Sequence, residues 1–200
     1  MKDNSCISLR CDPYGNRPEV DPTAYIDATA QVIGYVRIGP LVYVGPGAVI
    51  RADEADAQGT VAPIEIGSEC NVQDGAIIHA LAGTEVIVGR RSSLGHGCII
   101  HGPCTIGEGC FVGFGAKLFD ATLGDGVYVG MGAVIQGVEL VSESLVPPTA
   151  PILSQDHVIK YVGATSAADH AFMEQVVAAN LSLVEGYKCQ ERGLTYGTVQ

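Results

Sequence analysis

The chain has 200 residues, 22 of them acidic against 11 basic, for a formal net charge of −11. That balance argues against nucleic acid or an anionic membrane as partner, since both attract positive charge. No apolar run reaches the roughly 18 residues of a membrane span, and Met1–Cys11 lacks a signal-peptide core, so the expectation is one cytoplasmic domain.

Residues 1–23 are polar and carry Pro13, Pro18 and Pro22; they read as an extended N-terminal arm. From Ala24 a branched apolar residue recurs at every sixth position: Ile26, Val32, Ile38, Val44 and Ile50. After a loop come Ile66, Val72 and Ile78, and after a second, Val88, Leu94, Ile100, Ile106, Val112 and Leu118. A slip of one residue leads to Leu123, Val129 and Ile135. Gly often follows, as at Gly45, Gly67, Gly95 and Gly113. Such a period is the hexapeptide signature of a parallel β-helix, in which three repeats, about 18 residues, circle a triangular prism once. The fold expected is mainly β, with a β-helix domain over residues 24–146. Asp53–Pro63 and Ala80–Val86 interrupt the period and read as protruding loops, the usual place for a site.

The run Pro147-Pro148-Thr149-Ala150-Pro151 reads as the end of the repeat, because proline cannot donate to a ladder. Residues 147–200 are then a linker and a C-terminal helix of the same domain. The helix is expected over Ala167–Glu185. Ser166 and Asp169 form a capping box, Phe172, Val176, Ala179 and Leu183 make the inner face, and Gly186 is the C-cap.

Cys70, Cys98, Cys104 and Cys110 each lie four residues after a ladder residue, a slot that takes a small inward side chain. They read as packed thiols, not disulfides or ligands, and no CxxC pair suggests a Cys-rich zinc site. Cys6, Cys11 and Cys189 lie outside the ladder without an assigned role.

His79 follows Ile78 and His101 follows Ile100, one full coil later. The two imidazoles therefore stack on one wall, with backbones about 4.8 Å apart, close enough to share a metal. His96 falls one wall earlier and cannot easily join them within one prism. A neighbouring prism in a three-fold assembly can present it. Three His ligands leave a fourth position open, the mark of a catalytic zinc-type site. His157 and His170 lie outside the ladder and read as surface residues.

The runs Arg51-Ala52-Asp53-Glu54, Asn71-Val72-Gln73-Asp74-Gly75, Ile78-His79-Ala80, Ser93-Leu94-Gly95-His96 and Ile100-His101-Gly102-Pro103 resemble the γ-class carbonic anhydrases. The resemblance runs from about Tyr25 to Lys188. It implies a homotrimer of left-handed parallel β-helices, each with a C-terminal α-helix alongside, and an active site at each subunit interface. It implies Zn2+, or Fe2+ or Co2+, held by His79, His96 and His101, with CO2 and bicarbonate as substrate and product. By the same resemblance Gln73 orients the nucleophilic hydroxide, Asn71 lines the pocket and Asn180 lies near the substrate. Glu54 helps remove a proton, and Arg51, Asp53 and Asp74 form ion pairs between subunits. One departure stands out: where the best-studied form of the family has a shuttle Glu three residues beyond its first His ligand, this chain has Ala82 in a short loop, as in a shorter-loop subclass. Glu54, Glu85 or buffer is left to carry the proton.

Two other functions fit a hexapeptide β-helix: a non-catalytic assembly or scaffold protein, and an acyltransferase. The three His and Gln73 speak for the metal enzyme, because fold alone does not decide.

Overall fold

Hexapeptides stack because each ladder residue points into the prism and meets its equivalents in the coils above and below. The computed structural model, which describes residues 8–194, is a parallel β-solenoid of about seven turns with two helices. Ladder residues from Val32 to Ile135 are at most 3% exposed, and only the first, Ile26, is partly open. Leu94, Ile100, Ile106 and Leu118 are among the largest side chains fully enclosed.

The coils build three walls. The first contains Gln31–Gly34, Val49–Ala52 and Ile77–His79; the second Val36–Ile38, Ile64–Ile66 and Val86–Val88. The third contains Tyr43–Val44, Asn71–Val72, Ser93–Leu94, Phe111–Val112 and Tyr128–Val129. The strands Ile99–Ile106, Lys117–Leu123 and Val134–Leu140 turn the corner from first wall to second without a break. Neighbours pair in parallel, with Ile78 opposite Ile50 on one side and Ile100 on the other.

The four inward cysteines occupy the small-residue slot. All are free, at most 3% exposed, and burial pushes their thiols up to about 12 for Cys70 and Cys98 and about 11 for Cys104 and Cys110. Cys11 is exposed and Cys189 intermediate, while Cys6 lies outside the described residues.

Both ends of the solenoid differ from the expected boundaries. The N-terminal segment supplies rungs of its own: Leu9–Arg10 pairs with Val32–Ile33 and Glu19–Val20 with Arg37–Ile38. The repeat also passes through the proline run, since Pro151–Ile152 pairs with Val134–Ile135. Pro147 stands in the slot of Gly95, Gly113 and Gly130, whose N–H groups donate to the next coil; beyond it on this wall only the antiparallel Gly163–Ala164 follows, so no parallel ladder bond is lost. A helix not anticipated, α1 (Gln155–Tyr161), then packs Val158 against the core.

The second helix, α2 (Ala167–Glu191), starts at the expected capping box, with Ser166 Oγ accepting from Asp169 N–H and the Asp169 carboxylate accepting from Ser166 N–H. It continues through Gly186 instead of ending there. Its buried face is Met173, Val177, Asn180 and Val184, one position round from the expected one; Phe172 and Leu183 are 37% and 43% exposed. Apolar periodicity misplaced the face because a polar residue, Asn180, lies at its centre.

Helix α2 runs along the third wall. Tyr187 stacks on Tyr25 at 4.4 Å between ring centroids and on Tyr43 at 6.4 Å. Phe172 meets Phe111 at 5.2 Å and Tyr128 at 6.2 Å. Between these aromatic clusters lies a polar layer of Asn71, Gln73, Ser93 and Asn180.

Candidate metal centre

Two groups of side chains arise from two columns of the prism. The first forms where the first wall ends. Parallel register sets Arg51, His79 and His101 on successive rungs, and the His79–His101 pairing follows the phase of the ladder. The two rings meet edge to face, with centroids 4.9 Å apart and His79 Nδ1 3.1 Å from His101 Nε2. Phe119, on the next rung, packs on His101 at 5.4 Å. The two loops that interrupt the repeat leave from this edge and touch, since Ala82 N–H donates to Glu54 Oε2 at 3.3 Å. That contact leaves Glu54 Oε1 3.3 Å from His79 Nε2, with Asp53 Oδ1 3.9 Å from the same nitrogen. Arg51 pairs with Asp53 at 2.7 Å within the chain.

The second group stands on another corner. Stacked turns set Asp74, His96, Phe114 and Met131 in one column, through Gly97 N–H to Asp74 O at 3.0 Å, Gly115 N–H to His96 O at 2.9 Å and Gly132 N–H to Phe114 O at 2.9 Å. Gly95 is required here: a Cβ would lie 2.7 Å from Val112 O and 2.8 Å from the Phe114 ring. That ring packs on His96 at 5.0 Å. His96 Nδ1 lies 3.6 Å from Asp74 Oδ2, and both side chains are about half exposed. Behind them Gln73 Nε2 donates to Asn71 Oδ1 at 2.8 Å and to Asn180 Oδ1 at 2.9 Å. A cleft of about 250 Å3 opens beside these amides, with Phe111, Phe114 and Phe172 opposite.

The first group brings together Arg51, Asp53, Glu54, His79 and His101; the second, Asn71, Gln73, Asp74, His96 and Asn180. Among the described residues no single chain gathers three His, Cys, Asp or Glu side chains in position to hold a metal. Sequence reasoning gave no part to Phe114, Phe119 or Ser93. A signal for Ser93 existed, because it precedes Leu94 as Asn71 precedes Val72, and the two are paired neighbours.

The hydrogen-bond partners of the first group fix where its protons lie. With His101 Nδ1–H donating to Gly102 O at 3.1 Å, a neutral His101 ring has its lone pair on Nε2, the arrangement usual for a metal-ligating His. Here that lone pair accepts from His79 Nδ1–H, a hydrogen bond that a metal on His101 Nε2 would displace. His79 Nε2 is left as a bare lone pair, buried, without a hydrogen-bond partner and facing two carboxylates. A proton there is disfavoured, since burial first and the Arg51 guanidinium second hold His79 below the usual imidazole range. An acceptor confronted by acceptors calls for a cation, and imidazole nitrogens with nearby carboxylates are a donor set that suits a divalent metal. The residues fit the group.

These features define a hexapeptide-repeat β-solenoid with a divided His constellation. Comparison with known proteins agrees: the family described as bacterial transferase hexapeptide (six repeats) matches residues 85–119. A solved hexapeptide transferase family protein from Anaplasma phagocytophilum superposes with a TM-score of 0.75 at 26% identity, over 90% of this chain and 97% of that one. A carbonic anhydrase from Methanosarcina thermophila is 35% identical over 199 residues, which covers 88% of this chain and 77% of the relative. The carboxysome assembly protein CcmM of Synechocystis sp. is 37% identical over 171 residues, 80% of this chain. The chain spans only about a quarter (24%) of the length of that relative. The chain belongs to the γ-class carbonic anhydrase family. Among the described residues no helix is long and apolar enough to cross a membrane.

Proposed function

We propose that the protein catalyses the reversible hydration of CO2 to bicarbonate and a proton, in the cytoplasm. The sites lie between subunits of a homotrimer, with His79 and His101 from one protomer and His96 from its neighbour holding Zn2+, Fe2+ or Co2+. The observation that carries this reading is the division of the constellation into two groups on separate columns, one of them ending in a buried imidazole nitrogen without a partner. Similarity to the Methanosarcina carbonic anhydrase supports it.

A bound divalent metal supplies hydroxide at neutral pH by lowering the pKa of water to about 7. The chain's own groups do the rest. Gln73 has both N–H groups engaged by Asn71 and Asn180, so its Oε1 is the atom free to accept a hydrogen bond from the attacking hydroxide and aim a lone pair at the CO2 carbon. Each CO2 hydrated to bicarbonate releases one proton from water, which Glu54 would receive. In the family's longer loop a Glu stands at the position of Ala82; here Ala82 instead contributes a backbone N–H that steadies Glu54 beside His79. Asp74 of one protomer meets the Arg51–Asp53 pair of the next and ties the interface.

The likeness to the carboxysome assembly protein favours a second reading, in which the same trimer is a non-catalytic assembly module. Anaerobic purification with elemental analysis and a CO2 hydration assay separates the two. The enzyme reading expects about one metal per chain, as a closed three-His set requires, together with hydration that His79→Ala or His101→Ala abolishes. Metal-replete protein with no hydration in buffered, anaerobic solution supports the assembly reading instead.

A further inference from the structure

Three side-chain amides and two end groups form one hydrogen-bonded chain beneath α2. Asn71 Nδ2 donates to Ser93 Oγ at 2.7 Å. Gln73 Nε2 donates to Asn71 Oδ1 and Asn180 Oδ1. Asn180 Nδ2 donates to the Val176 carbonyl at 2.8 Å. Asn71, Ser93 and Asn180 are 0%, 1% and 8% exposed, so water does not compete for them.

The Val176 end decides the direction of the chain. At one end the Val176 carbonyl can only accept, which turns Asn180 Oδ1 towards Gln73. At the other, Gln73 Nε2–H holds Asn71 Oδ1, and Ser93 Oγ, which can donate or accept, takes the hydrogen bond from Asn71 Nδ2. With acceptors on both sides, the central amide must give them both N–H groups, and its Oε1 is turned out of the chain. A flip of Asn71 would set its NH2 against that of Gln73, two donors with no acceptor between them.

We propose that Ser93 is a positioning residue for Gln73, acting through Asn71; this rests on the reading of Gln73 as the group that orients the nucleophile. Without the hydroxyl, Asn71 Nδ2 is a fully buried donor with no acceptor, a state the side chain escapes by rotating. Gln73 then keeps one anchor of two, and Oε1 loses its fixed direction. Ser93 is also small enough to sit between Asn71 and Phe111 on the third wall. Alanine preserves that spatial part, so Ser93→Ala isolates the hydroxyl.

The test uses the full, metal-loaded chain labelled with 15N. In the wild type both side-chain N–H protons of Gln73 and those of Asn71 exchange slowly with solvent. Ser93→Ala is expected to speed exchange at Asn71 and at one Gln73 proton and to lower kcat for CO2 hydration about tenfold, the effect of one hydrogen bond, with KM and metal content unchanged. Ser93→Thr, which keeps the hydroxyl, restores both. Fast exchange of the Gln73 protons in the wild type overturns the proposal even if Ser93→Ala does not fold. So does Ser93→Ala with wild-type exchange and kcat. A wild type with no hydration but Ser93-dependent exchange overturns the catalytic reading and leaves the anchoring of Gln73 standing.

Discussion

At His79 a buried lone pair faces Glu54 and Asp53 with no donor between them. Removing the partner across the rung is therefore informative. His101→Ala is expected to lose the metal and lower hydration by at least 100-fold, while the β-sheet signal of the folded chain persists, because the imidazole points outward from the ladder; the check is elemental analysis beside circular dichroism. The thiols give a second prediction at this scale. With Cys70, Cys98, Cys104 and Cys110 buried and their thiols raised to about 11 or 12, a thiol reagent at neutral pH modifies exposed Cys11 in the folded protein and reaches these four only after denaturation. Much of this was legible in the sequence. A strict period fixes phase, so the stacking of His79 on His101 and the inward slot of the cysteines followed from counting. The approach of Glu54 to His79 did not, because it depends on two aperiodic loops meeting at Ala82.

Helix α2 illustrates what patterning alone misses. Its register on the third wall is set by two aromatic clusters. The rise from Phe172 to Tyr187 is about 22 Å at 1.5 Å per residue, close to the roughly 19 Å between the centres of the Tyr25–Tyr43 and Phe111–Tyr128 rungs at about 4.8 Å each. This match sets Asn180 over the rung of Asn71. Asn180 faces inward because Gln73 and Val176 satisfy it, and no apolar pattern announces a satisfied polar residue at the middle of a buried face. The start of the helix was legible in Ser166 and Asp169. The hydrogen bonds of Ser166 hold the Asp169 carboxyl below its usual range. A folded-state pKa below the unfolded one means the cap contributes above about pH 4, where both states are ionised. It is lost as pH falls through the lower, folded value. Amide exchange in the first turn of α2 is expected to quicken over that acid range, and Asp169→Asn to remove the dependence. Within the solenoid, Ile100→Ala removes an inward rung from the centre of the stack and is expected to destabilise the fold by about 2–5 kcal/mol, measured by denaturant unfolding.

In the proposed trimer, one prism holds only part of each site. His79 and His101 occupy one column and His96 another, and a closed three-fold ring brings unlike surfaces together at each interface. The fold was legible because the hexapeptide period dictates its architecture; the rungs at either end were not, because the N-terminal segment and the proline run hide the period behind turn residues. The most direct measurement is complementation. Chains bearing His79→Ala and chains bearing His96→Ala are each purified, shown to be inactive, then unfolded together and reassembled in equal amounts. Random mixed trimers give about a quarter of the sites an intact His79 from one chain and an intact His96 from the next, as a head-to-tail interface demands. Recovery of about that fraction of wild-type metal and hydration activity is the predicted result. Mixed trimers that bind no metal and remain inactive, while wild-type chains treated in the same way recover fully, would contradict it.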